Sequence, residues 1–409
     1  MPDRTDKTAV KTAHDLGIMR GAPVPPTGRV PFQDWDRAPW NRWTFQHIRE
    51  ILPTTEVWRG SGPVWQLPGA PRNLDDLSFA ADSGDETTIA RWLKDDFTDG
   101  FIVLHRGSIV FERYMNGMTD RSLHLSQSMA KSVTGTVAGI LVGQGLLDPD
   151  CPVTEYLPEL KRTAWNGATL RHVLDMTSGV RYVEDYEALD SDMAITDMAA
   201  GWKPRRSRAP TCIWDQIMTL KTREREHGAS FEYKTIEADV LAYCMIRATG
   251  TGLAELFSRE LWAPMGAEES ACMTVDSTGY PLADAGFNAT LRDYARFGLV
   301  HLNGGIGNGR RILPLEWVED TRKGDPAFFN APYTDTLPNG AYRNTFWVED
   351  HRRQAYMAIG VFGQFIYVDP EEELVAVKLS SWPEFLSPPR ARTFLNAVHG
   401  IAARLGGTT

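Results

Sequence analysis

The chain has 409 residues, 42% apolar and 23% charged, with a net charge of -10 from 43 basic and 53 acidic side chains. That length suits about two to three domains and a core large enough to need no disulfide or metal staple. The acidic balance excludes a general nucleic-acid binder, which needs a basic surface.

Residues 1–40 are polar and then proline-rich, and are expected to form an arm laid on the body or partly disordered. Phe101 to His105 and Ser108 to Tyr114 are short apolar runs separated by Arg106-Gly107, which predicts a hairpin. Over Ser128 to Gln144, Val133, Val137, Ile140 and Leu141 fall on one helical face, and Gly145 stands at the C′ position. Gly135, Gly139 and Gly143 form a second stripe, each costing about 1 kcal/mol against alanine. Such a helix must be buried and closely packed.

Residues 151–285 read mostly as helices and long loops. Met357 to Val368 and Glu373 to Leu379 read as strands around the turn Asp369-Pro370-Glu371, and residues 388–404 as a last amphipathic helix. The expected class is α+β. An antiparallel sheet built from residues 41–150 and 286–409 is flanked by helices, and a mostly helical domain spans 151–285.

Cys151, Cys212, Cys244 and Cys272 stand far apart with no C-x-x-C pair, so no zinc or redox motif is expected. No metal and no cofactor is expected. Met1 to Arg20 has no apolar signal-peptide core, and no run of about 18 apolar residues would span a bilayer. These features predict a cytoplasmic protein with no membrane or nucleic-acid partner.

The sharpest motif is Ser128-Met129-Ala130-Lys131, the one S-x-x-K in the chain. Residues three apart at a helix start share a face, so the lysine amine can meet the serine hydroxyl. Serine needs such a base to become a nucleophile. An uncharged lysine is expected, because burial and the helix N-terminus both disfavour its ammonium. The Ser128 N–H could serve a developing oxyanion. An isolated match of four residues also fits a plain helix start with a surface lysine. Tyr233-Lys234-Thr235 could bring a proton relay, although a Tyr-x-Thr alone equally fits a core tyrosine. No K-T-G occurs. Ala358-Ile359-Gly360-Val361 is the candidate third box, its glycine admitting substrate to the backbone, or else a plain core strand.

Together these boxes resemble the serine β-lactamase / DD-peptidase fold family, on its class C and family VIII carboxylesterase side. Within it the chain is similar to the 6-aminohexanoate-dimer hydrolases. Asn41 to Phe45, the Ser128 box, Pro152 to Leu160, Glu184 to Tyr186, Ala200 to Trp202 and Val377 to Pro383 carry the likeness at nearly ungapped spacing. The resemblance implies the β-lactamase/penicillin-recognising fold. It implies Ser128 as nucleophile, Lys131 as base and Tyr233 as proton shuttle. Tyr186 would contact the scissile amide nitrogen, Asp197 the substrate's amino end, and Trp347 would pack on substrate. The N–H groups of Ser128 and Val361 would form the oxyanion hole. It also implies a small amide or ester substrate and a homodimer. Phe362, Lys234 and Asp284 depart from the expected His, small residue and Asn.

Between Tyr182 and Asp197 six acids and no basic residue occur, and Ala358 supplies no cation on the third strand. Both features favour a cationic end group over a free carboxylate. The expected activity is hydrolysis of short linear amides, with short-chain esters also cleaved through an acyl-enzyme. The alternatives are a family VIII-type carboxylesterase with negligible amidase activity, a β-lactamase, or a non-catalytic penicillin-fold protein.

Overall fold

The computed structural model describes residues 10–407. Seven antiparallel strands form the main sheet: β1 (Thr98–His105), β2 (Ser108–Tyr114), β3 (Ala341–Arg343), β4 (Phe346–Asp350), β5 (Ala355–Gly360), β6 (Gln364–Asp369) and β7 (Leu374–Ser380). Their spatial order is β3-β4-β5-β6-β7-β1-β2, so the two ends of the chain meet where β7 pairs with β1. The β1–β2 hairpin turns at Arg106 and Gly107 with φ of 50° and 74°. Positive φ at both positions matches the twist of the strands it joins.

Helices cover both faces. Side chains alternate along a strand, and here the alternation is explicit. A Cβ on Gly298, in the helix Leu291–Leu302, would meet Val375 and Ile366. Phe394, in Pro388–Gly406, stacks on Phe365 at 4.2 Å. Coverage on both sides explains why β6 and β7 are buried at every position rather than at every second one.

The helix carrying the S-x-x-K box, Met129–Gly143, is buried over nearly its whole length. Its glycine stripe admits close neighbours, as expected. A Cβ on Gly135 would strike Thr345 and the Asn344 carbonyl, one on Gly139 would lie 2.5 Å from the Trp317 ring, and one on Gly143 would strike Pro314.

Residues 151–285 contain short helices, including Leu170–Leu174, Asp192–Ala199, Ile213–Thr219 and the longer Ile236–Thr249. Periodicity did not reveal a second antiparallel sheet of four short strands. It is ordered Thr54–Val57, Ala271–Thr274, Phe287–Ala289 and His124–Leu125. The first nine residues of the expected arm lie outside the described residues. The remainder lies on the body: Trp35 is fully buried and its Nε1 donates to the Trp202 carbonyl at 2.8 Å.

Candidate active site

Ser128 caps the helix Met129–Gly143 from a tight approach, with Gln127 before it at φ 49°. A non-glycine residue in this left-handed region carries a conformational cost that its surroundings must offset. β5 ends against this turn, for a Cβ on Gly360 would strike the Ser126 carbonyl and crowd Gln127. The glycine expected to admit substrate therefore admits the main chain before Ser128. The approach brings Val361, at the end of β5, beside the serine turn. Phe362 follows at φ 62°. Neither the Ser128 N–H nor the Val361 N–H is bonded to a backbone carbonyl.

Lys131 lies one turn into the helix and is 1% exposed. Its Nζ donates to Ser128 Oγ at 2.9 Å and to the Asp284 main-chain carbonyl at 3.0 Å. Tyr233, from the segment leading into Ile236–Thr249, presents its ring 5.2 Å from Lys131 Nζ. Thus the hydroxyl, the amine and the phenol meet in one buried place.

The uncharged lysine expected from the sequence is opposed by the groups around it. Burial pushes Lys131 down, but Tyr233, Asp284 and Glu184 outweigh it and hold the amine above its ordinary value. Burial raises the Tyr233 phenol, while Lys131 and contact with Ser128 pull it back. Asp284 is itself raised by burial, and Asp239 next to it is raised well above its ordinary value by burial and by Asp284. One oxygen of each, Asp284 Oδ1 and Asp239 Oδ2, has no hydrogen-bond partner.

Trp347 stacks on Tyr233 at 5.4 Å within an aromatic cluster that includes Phe231, Tyr333 and Tyr342. Tyr186 stacks on Phe385 at 5.3 Å, and Phe385 packs on Phe362 at 4.5 Å. Phe362, found where His was expected, is fully buried among these rings and Phe45. Lys234 is buried as well, its Nζ donating to the Ser178 carbonyl at 2.9 Å and pairing with Glu232.

Asp197 sits on the helix Asp192–Ala199, not on a loop. Burial and the neighbouring Asp36 push its carboxyl up to about 8, against the pull of Lys203. Three of the other acids of the 182–197 segment are engaged within it or with the arm. Asp185 accepts from the N–H groups of Glu187 and Ala188, Asp192 from that of Val183, and Glu187 pairs with Arg37 of the arm. The segment is therefore less of a free anionic surface than its composition suggests. Glu184, counted in the sequence among the acids of this segment, accepts from Tyr186 and Thr235. Its anchor Thr235 lies 51 positions away, so no local pattern marks it.

A serine with an amine donor, a phenol and two open N–H groups is the equipment of acyl transfer. The sequence model of the Beta-lactamase family matches residues 97–400. The chain belongs to that family. It is a hydrolase of the β-lactamase fold, as its sequence resemblance implied. The 6-aminohexanoate-dimer hydrolase of Paenarthrobacter ureafaciens is 35% identical over 364 residues, 87% of this chain and 89% of the relative. A solved structure from Bacillus anthracis, provisionally described as a 6-aminohexanoate-dimer hydrolase, superimposes with a TM-score of 0.86 at 30% identity, covering 93% of this chain and 98% of that one. A family VIII carboxylesterase structure shares the fold at a TM-score of 0.54 and 16% identity, covering 75% of this chain and 93% of that one. Among the described residues no helix is long and apolar enough to cross a membrane.

Proposed function

We propose that the chain hydrolyses short linear amides of ω-amino acids, of the 6-aminohexanoate-dimer type, and short-chain esters, through an acyl-enzyme on Ser128. One observation carries this reading: Lys131 Nζ bridges Ser128 Oγ and the Asp284 carbonyl while the Tyr233 ring faces it. Acylation begins when the proton of Ser128 moves to the Lys131–Tyr233 pair, once that pair has given up a proton of its own. Oγ then attacks the carbonyl carbon, and the oxyanion is met by the N–H groups of Ser128 and Val361. Tyr233 returns the proton to the leaving nitrogen beside Tyr186, and water releases the acid by the reverse path. Trp347 packs against the substrate chain.

Asp197 holds the substrate's ammonium. Its carboxyl is raised because burial and Asp36 outweigh the pull of Lys203 and Arg37. A bound ammonium adds a further positive charge and brings the proton off. Ala358 is buried and apolar, so β5 offers no cation for the carboxylate of a β-lactam. The four cysteines are unpaired, which supports a reducing, cytoplasmic setting. A homodimer is part of the same proposal, and light scattering tests it.

The test is a hydrolysis panel of amides and esters differing in a terminal amine. The proposal expects amides bearing the amine to be cleaved at the greatest kcat/KM among the amides. Equal rates with and without the amine contradict it.

A further inference from the structure

Tyr186 has one phenolic proton, and the structure shows where it goes. The hydroxyl donates to Glu184 Oε1 at 2.7 Å. Glu184 is fixed in turn by Thr235, whose N–H donates to Oε2 at 2.8 Å and whose hydroxyl donates to Oε1. The ring is held by Phe385, and the Tyr186 carbonyl accepts from Arg37 at 3.2 Å. A carboxylate only accepts, so it commits the phenol to donating toward it. What remains on the phenol oxygen toward the cleft is lone pairs.

We infer that Glu184 is a positioning residue that makes Tyr186 an acceptor toward the cleft and so favours leaving groups that carry an N–H. This deepens the amide-hydrolase reading and rests on its placement of Tyr186 beside the leaving nitrogen. An amide or departing amine has an N–H to give to that oxygen. An ester oxygen has none, and meets lone pairs with lone pairs. Glu184 thereby separates amides from esters without touching either. Thr235, the third residue of the Tyr-x-Thr box, gains a role as the anchor of that carboxylate.

Glu184→Gln tests this, because it keeps the shape and reverses the proton. The Thr235 N–H requires an acceptor, so the glutamine carbonyl turns to it. The amide NH2 then faces the Tyr186 oxygen, and the phenol proton turns to the cleft. The substrates are butyl 6-aminohexanoate and N-butyl-6-aminohexanamide, identical except at the scissile heteroatom. The readout is the ratio of kcat/KM for amide over ester, with competent sites counted by the p-nitrophenyl acetate burst. The inference expects the ratio to fall at least about fivefold, the scale of one hydrogen bond. It expects Tyr186→Phe to lower the ratio likewise and the double variant to lower it little further. If Tyr186→Phe leaves the ratio unchanged, the placement of Tyr186 is wrong and the inference falls with it. If Tyr186→Phe lowers the ratio while Glu184→Gln changes it less than about fivefold, or slows both substrates in parallel, Glu184 serves only the charge of Lys131. In that case the inference alone is overturned. Should Glu184→Gln give no burst, Thr235→Val decides: a smaller fall in the same ratio supports the inference, and an unchanged ratio overturns it.

Discussion

Lys131 Nζ touches both the nucleophile candidate Ser128 and the main-chain carbonyl of Asp284, a residue that lies 153 positions further along the chain. The carbonyl fixes the amine against the serine, and the acids around it favour the charged amine. Lys131→Ala should lower kcat for a neutral ester about 10²- to 10⁴-fold, the usual scale of a positioned proton acceptor. A loss under about tenfold would remove Lys131 from the proton path.

The same charge state sets a pH profile. A base held above its ordinary value is protonated at neutral pH and gains its active form as pH rises. The kcat/KM for a neutral ester should climb steadily through pH 6 to 9, about tenfold per unit while one proton is lost. A plateau reached near neutrality would mean that the amine is already uncharged.

Asp197 gives a second, separable pH effect. Burial and Asp36 push its carboxyl up to about 8, and only its ionised form attracts an ammonium. KM for an amine-bearing amide should fall as pH rises through about 8. Asp197→Asn should raise that KM about ten- to a hundredfold, the worth of one charged hydrogen bond. It should affect a neutral ester far less. Equal effects on both substrates would place Asp197 outside the amine site.

The buried ion cluster at the start of β1 is a stability element. Asp99 accepts from Arg42 at 2.9 Å and from Ser381 at 2.7 Å, and contacts His124 at 3.1 Å. Burial alone would raise its carboxyl, but Arg42 and His124 hold it below its ordinary value. A depressed carboxyl stabilises the fold fully above its unfolded value of about 4, and that contribution is lost as pH falls through the lower folded value. Asp99→Asn leaves the Arg42 charge buried and should cost about 3–5 kcal/mol in urea unfolding at pH 7.

The glycine stripe offers a packing test. Gly139→Ala places a methyl 2.5 Å from the Trp317 ring, and overpacking of this kind costs about 1–3 kcal/mol. A variant as stable as the parent would show that Trp317 moves aside freely.

The parts of the fold legible in the sequence are those fixed by near neighbours. Arg106-Gly107 marks its hairpin, and the glycines at 135, 139 and 143 demand close neighbours without naming Trp317 or Pro314. Ser128 and Lys131 are readable because a helical turn brings them together. Tyr233 needed the family resemblance, since Tyr-x-Thr carries no spacing rule of its own. The strands His124–Leu125 and Phe287–Ala289 are too short to show a period. The acids that favour a charged Lys131 were not legible, because burial and the helix end are local, whereas Glu184 and Asp284 arrive from distant segments. Glu184 itself looked like one more acid of an exposed loop, and its bonds to Tyr186 and Thr235 exist only in the folded chain.

The most direct measurement is intact-protein and peptide mass spectrometry of the enzyme quenched during turnover of a p-nitrophenyl ester. A transient adduct of one acyl group should appear on the peptide containing Ser128, decay as substrate is exhausted, and be absent in Ser128→Ala. Turnover in that variant at near the parental rate, or an adduct on another residue, would contradict the account.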